Sequence, residues 1–225
     1  MPNPYTSAKL FSFIEELSIN NNRMWFEENK NRYEDDVRTP LLSFIADFEV
    51  YLKQLSPHFN AEAKKVGGSL FRIFRDVRFS KDKTPYKTNA GVHFRHERAE
   101  NAHAPGYYLH LDPMESFIGV GIWRPDTATA RAIRAGITEK PDAWLEATRE
   151  FGKFALGGDS LKRAPPVVEA DHPCIVDIMR KDWIGIVKVD RATLCSKNFM
   201  KGFAKTCAVA TPFMRFLTEA QVLRF

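Results

Sequence analysis

The side chains best suited to chemistry are concentrated in one stretch, Ser69 to His96, SLFRIFRDVRFSKDKTPYKTNAGVHFRH. It carries Arg72, Arg75, Arg78, Lys81, Lys83, Lys87 and Arg95 against only Asp76 and Asp82. Guanidinium forks match two oxygens of a carboxylate or phosphate at once, and ammonium groups act as point charges. The hydroxyls of Ser80, Thr84 and Thr88, with the phenol of Tyr86, add neutral donors. Such a set can surround an anion. No Gly-rich phosphate cradle and no nucleophile motif accompanies it, so a phosphate loop is excluded. A general base could be Asp76 or Asp82, and a lysine lowered in pKa by its cationic neighbours could act as nucleophile, yet no spacing singles one out.

The formal charge of the 225-residue chain is +5, and its source is local. Residues 70–95 hold seven basic and two acidic side chains, leaving 26 of each sign elsewhere. A local excess points to a phosphorylated or carboxylated small molecule held at one place, with turnover open, more than to a uniform nucleic-acid coat. Nucleic-acid binding through the same patch is a second reading. A third is a scaffold in which the motif is an internal polar network. Four histidines follow: His93, His96, His103 and His110. On a strand the H-x-x-H spacing sends His93 and His96 to opposite faces, so no metal site is expected, and no cofactor is called for. His93 and His110 can meet across paired strands and supply ligand hydrogen bonds or proton transfer. Tyr86, Tyr107 and Tyr108 invite comparison with base-stacking platforms, but FRIFRDVRF lacks the glycines of an RNA-binding strand.

The elements that must position these groups can be read from periodicity. Thr6 or Ser7 can cap a helix in which Leu10, Phe13, Ile14 and Leu17 recur at helical spacing. The Asn20–Asn22 run offers a turn and a cap for a second helix with Trp25, Phe26, Tyr33 and Val37 inward. Pro40 either kinks that helix or opens the next, whose stripe runs from Leu41 to Leu55. From Leu70 the period becomes two: Phe71, Ile73, Val77 and Phe79 alternate with Arg72, Phe74, Asp76 and Arg78, predicting a strand. In that register Arg75 shares the face of Ile73 and Val77, which would bury a guanidinium unless a carboxylate or a bound anion meets it. Arg72 and Arg78 fall on the other face. Further strands are predicted at Ala90–Arg95, Tyr107–Leu111, Ser116–Trp123 and Trp183–Val189. Gly119 and Gly121 suit a buried strand approached by another backbone or by a ligand. Helices are expected after Asp126, after Pro141, around Ile175–Met179, and from Asn198 to Leu223 with an interruption near Pro212. The expected fold is a single α+β domain, an antiparallel sheet of about five strands packed with N- and C-terminal helices.

A hydrophobic fraction of 44% with 27% charged residues is that of an ordinary globular chain. Cys174, Cys195 and Cys207 are odd in number with no C-x-x-C spacing, which argues against a disulfide framework or zinc and fits a reducing cytoplasm. No apolar run approaches the roughly 20 residues that cross a bilayer, and the N-terminus lacks the order of a signal peptide. No membrane association is expected.

The run FRIFRDVRFSKDKTPYKTNAGVHFRH, with HAPGYYLHL from His103, GVGIWRP from Gly119, NNNRMWFEENKNRY from Asn20, LKRAPP from Leu161 and DHP from Asp171, resembles the family called domain of unknown function 2461. The resemblance spans nearly the whole chain. It implies an α+β domain with the R-D-x-R-F-S-x-D-K-x-P-Y-K pattern as its signature, and it carries no catalytic roles to these positions.

Overall fold

The computed structural model of the chain describes residues 3–98, 103–149, 151–166 and 168–225. Helix α1, Ala8–Ile19, buries Leu10, Phe11, Phe13, Ile14 and Leu17. Ser7 precedes it in extended conformation without a side-chain cap, and Thr6 instead donates to the Leu194 carbonyl at 2.5 Å, tying the N-terminus to the far end of the chain. Asn22 does cap its helix: its Oδ1 accepts from the Trp25 N–H at 3.0 Å at the start of α2, Arg23–Glu28. Helix α3, Lys30–Tyr33, then passes through a π-helical turn, Glu34–Arg38, into α4, Thr39–Leu55. Pro40 lies in the first turn of α4. A proline there has no N–H to give and crowds the carbonyl four residues back, and the widened turn before it takes up that misfit, so the chain bends without breaking.

Among the described residues the strands form one antiparallel sheet in the order β1-β2-β3-β4-β6-β5. They are β1, Phe59–Asn60; β2, Ala90–His96; β3, Gly106–Leu111; β4, Phe117–Ile122; β5, Ala155–Gly157; and β6, Trp183–Lys188. The central meander β2-β3-β4 and strand β6 stand where the sequence predicts them. Between β4 and β6 the chain builds α5, Thr127–Glu139, α6, Pro141–Arg149, and the short α7, Ile175–Ile178. After β6 come α8, Arg191–Leu194, α9, Phe199–Val209, and α10, Thr211–Glu219, the last two separated at Ala210 just ahead of Pro212.

Alternation along the strands divides the sheet into two unlike faces. Val92, Phe94, Tyr107, Leu109, Ile118, Val120 and Ile122 are buried on one of them. Helices α4 and α9 cover this face: Phe94 lies 4.8 Å from Phe48 and 6.1 Å from Phe203, ring centre to ring centre. Burying that many large side chains, each contributing about 1.5–3 kcal/mol, supplies the main drive for the fold. Gly91, His93, Tyr108, His110, Phe117, Gly119, Gly121, Ile184 and Ile186 fall on the opposite face, placed there by the registers His93↔Tyr108, Tyr108↔Gly119 and Gly119↔Ile186.

The strand expected from Leu70 to Phe79 is not formed, and the sheet has six strands, not about five, because two very short ones stand at its edges. Residues 69–75 run antiparallel to residues 85–93 as an interrupted ladder: Phe71 N–H to Gly91 O at 2.9 Å, Lys87 N–H to Ile73 O at 2.8 Å and Arg75 N–H to Pro85 O at 2.9 Å. Only the isolated bridges Leu70↔Val92 and Phe74↔Tyr86 are regular. Pro85 has no N–H to return, and two aspartates turn the backbone toward themselves. Asp76 Oδ1 accepts the Arg78 N–H at 3.2 Å and Asp82 Oδ1 accepts the Thr84 N–H at 2.9 Å. The alternation at Phe71, Ile73 and Val77 therefore belongs to a hairpin arm, and Phe79, 95% exposed, lies at its tip.

Candidate ligand-binding site

Two of the cations at the hairpin tip are neutralised by local aspartates. Arg75 donates to the Asp82 carboxylate and to the Thr84 hydroxyl, and its side chain keeps 27% exposure, so the guanidinium that strand register would bury is paired and half-shielded. Arg78 grips Asp76 through two bonds of 2.9 and 2.7 Å at the surface. Lys83 donates to the Val77 carbonyl at 2.9 Å, while Lys81 is exposed and the Ser80 N–H bonds the Val77 carbonyl. The Arg78 side chain holds Asp76 down to about 2, and the Thr84 N–H, then Arg75, holds Asp82 down to about 2. Both carboxylates stay ionised and engaged with these partners.

Among the described residues five cations of the stretch, Arg72, Lys81, Lys83, Lys87 and Arg95, form no ion pair with a carboxylate, and of these Arg72 and Lys87 act on each other. Lys87 is partly withdrawn from water, its ammonium 5.3 Å from the ring centre of Phe71. Burial lowers its pKa, and the charge of Arg72 lowers it further. Thr88 follows, partly buried. Tyr86 is turned away: its ring is stacked on Phe26 at 4.1 Å and 19°, and its backbone is held by Asn21 through two bonds of 3.0 and 3.1 Å. A second cleft of about 330 Å³ opens on that side of the hairpin, between Arg23 and Glu27 of α2 and Phe74, Arg75 and Pro85.

Phe71 also walls a groove of about 410 Å³ on the uncovered sheet face. Gly106, Gly119 and Gly121 make its floor, and Tyr108, Phe117 and Trp123 join Phe71 along its sides. His93 lies in the wall, 6% exposed, with its ring packed so closely over Gly106 that a Cβ there would stand 2.1 Å from Nε2. Burial, then the charges of Arg95 and His103, pulls the His93 pKa down to about 3, so the imidazole is neutral. Its Nδ1 has no hydrogen-bond partner among the described residues. A proton on Nε2 leaves only a bare lone pair at Nδ1, which costs less than an orphaned N–H. His110 is drawn to the same face by register, stacked on Phe117 at 4.6 Å, with Nδ1 2.9 Å from the Tyr108 hydroxyl. Burial lowers His110 and raises Tyr108 to about 12, so this pair is also uncharged. His96 points through the sheet to the Arg224 carbonyl at 2.8 Å.

The predicted residues thus separate. Arg75, Arg78, Ser80, Lys81 and Lys83 stay at the hairpin tip, Arg72 and Lys87 stand beside Phe71, and His93 and His110 line or border the groove. The aromatic walls escaped sequence reasoning because Phe71, Tyr108 and Phe117 come from three segments that only pairing register brings together. Gly119 and Gly121 were the available signal, since glycines within an apolar strand leave room for a neighbour. No group of three His, Cys, Asp or Glu side chains able to hold a metal is present among the described residues. No helix among them is long and apolar enough to cross a membrane.

A family model described as conserved hypothetical protein (DUF2461) matches residues 9–216 of the chain. No curated protein and no solved structure matches it.

Proposed function

We propose that this chain, which belongs to the DUF2461 family, binds a phosphorylated or carboxylated small molecule, with the anionic group taken by Lys87 and Arg72. One observation carries the reading: Arg72 and Lys87 act on each other as like charges, neither forms an ion pair among the described residues, and Lys87 is partly desolvated. Holding an unneutralised ammonium in that position is unfavourable, and an anion would relieve it. The alternatives gain less support. An internal polar network accounts for Arg75 and Arg78, which have their aspartates, but leaves Lys87 and Arg72 outside it. A nucleic-acid coat would use a continuous positive stripe, and the same two aspartates interrupt one. The reading presumes a reducing cytoplasm, where free Cys174, Cys195 and Cys207 would be stable.

Thermal shift against inorganic phosphate, nucleoside monophosphates, aromatic and aliphatic carboxylates, and a short oligonucleotide tests it. A phosphorylated or carboxylated small molecule should stabilise the wild type, by about 2.7 kcal/mol at a hundredfold excess over Kd. Arg72→Ala with Lys87→Ala should abolish the shift, whereas Arg78→Ala, whose charge Asp76 already neutralises, should leave it. No shift with any small anion would overturn the reading, as would a shift that survives the double substitution. Tight oligonucleotide binding that falls steeply with salt would replace it with nucleic-acid recognition.

A further inference from the structure

Resting on that reading, the groove narrows the ligand. We infer that the molecule bound is a flat aromatic ring system carrying its negative charge at one edge, with the ring laid against Gly119 beside Phe117 and Tyr108 and the charge directed to Lys87. Three features favour a flat ring over a flexible chain. At Gly119 the floor has no side chain and a Cβ would meet nothing closer than 3.6 Å, so a planar body can approach the sheet backbone there, while the His93 ring fills the space over Gly106. The sides are aromatic, and ring-on-ring contact contributes about 0.5–1.5 kcal/mol beyond the area buried. The groove volume of about 410 Å³ falls in the range of small-molecule sites.

Charge is arranged to match. His93, His110 and Tyr108 present polar but neutral groups, so the body of the ligand meets no ion in the groove. Two of its aromatic residues instead have a cation beside the ring: Lys87 at 5.3 Å from the centre of Phe71 and Arg124 at 4.6 Å from that of Trp123. A neutral, aromatic trough with a cation beside two of its rings complements an aryl anion. It suits neither a sugar phosphate, which would bury hydroxyls against Phe117 and Ile186, nor a neutral aromatic, which would leave those cations unmet.

Glycine 119 supplies a variant that fills the groove while sparing the fold. A Cβ there meets nothing closer than 3.6 Å, from the Phe117 and Tyr108 side chains. Titration calorimetry of wild type, Gly119→Val and Lys87→Met against 2-naphthoate, 2-naphthalenemethanol, decanoate and inorganic phosphate separates the possibilities. The expected result is that naphthoate binds the wild type at least tenfold more tightly than the other three, and that each substitution weakens it at least tenfold. Phosphate binding as well as naphthoate, with Gly119→Val harmless, would overturn the aromatic inference and leave the anion reading standing. Decanoate or naphthalenemethanol matching naphthoate would overturn it too. No binding of either anion would remove both. If Gly119→Val melts early, Trp123→Ala, which removes a half-exposed wall, replaces it with the same expected loss.

Discussion

Gly121→Ala is expected to destabilise the protein by roughly 4 kcal/mol or more, a large share of the 5–15 kcal/mol that holds a typical domain folded. Gly121 has φ of +111°, a conformation that L side chains rarely adopt. A Cβ added there would stand 2.1 Å from the Trp183 carbonyl oxygen and 3.0 Å from the ring of Phe213. Neither neighbour can yield. Trp183 is fully buried, its indole N–H held by the Asp177 carbonyl at 3.0 Å, and its backbone pairs with Ile122 across the β4–β6 junction. Phe213 is packed against Phe151 at 4.5 Å. Relief therefore requires opening the junction between the meander and β6. Gly119→Ala, two residues earlier on the same strand, meets only ordinary contacts and should fall within about 1 kcal/mol of wild type. Chemical denaturation of the two variants side by side checks the contrast. Equal stabilities would show that the close approach of β6 to Gly121 is not a feature of the folded protein.

That contrast marks what sequence patterns can and cannot carry. Turn-bounded segments and an apolar run of strand length located β2, β3, β4 and β6 to within a residue or two. Strands β1 and β5 have two and three residues and so hold no period to find. The Leu70–Phe79 segment failed for the opposite reason: it has the period without the ladder, since Pro85 and the turns at Asp76 and Asp82 take its partners away. The candidate site was visible in the same uneven manner. The basic residues were evident from composition. Which of them are spent on local aspartates depends on side chains meeting across the hairpin, and the groove depends on inter-strand register, neither of which one chain's order displays. Gly119 and Gly121 look alike in the sequence, yet one tolerates a methyl group and the other does not, because only Gly121 faces a neighbouring carbonyl.

Acidification should expose the burial of His93 directly. Its pKa is about 3 in the folded protein, against 6.5 for an ordinary histidine, so between those values the unfolded chain binds a proton that the folded chain refuses. Stability is therefore complete above pH 6.5 and falls as pH drops toward 3, by roughly 1 kcal/mol per pH unit and on the order of 4 kcal/mol across the window. His96 and His110 are lowered in the same direction by burial, so the slope of the wild type alone would not identify one residue. The difference between wild type and His93→Gln does, because the other groups titrate in both. Urea unfolding at pH 7, 5.5 and 4.5 should show the wild type losing its advantage over His93→Gln steadily with acid. Parallel curves for the two proteins would mean that His93 is hydrated or charged in the native state, and the neutral groove wall would go with it. If the loss follows His93, its imidazole stays uncharged over the whole physiological range, and the anion binding proposed above would rest on Lys87, Arg72 and Arg124 alone.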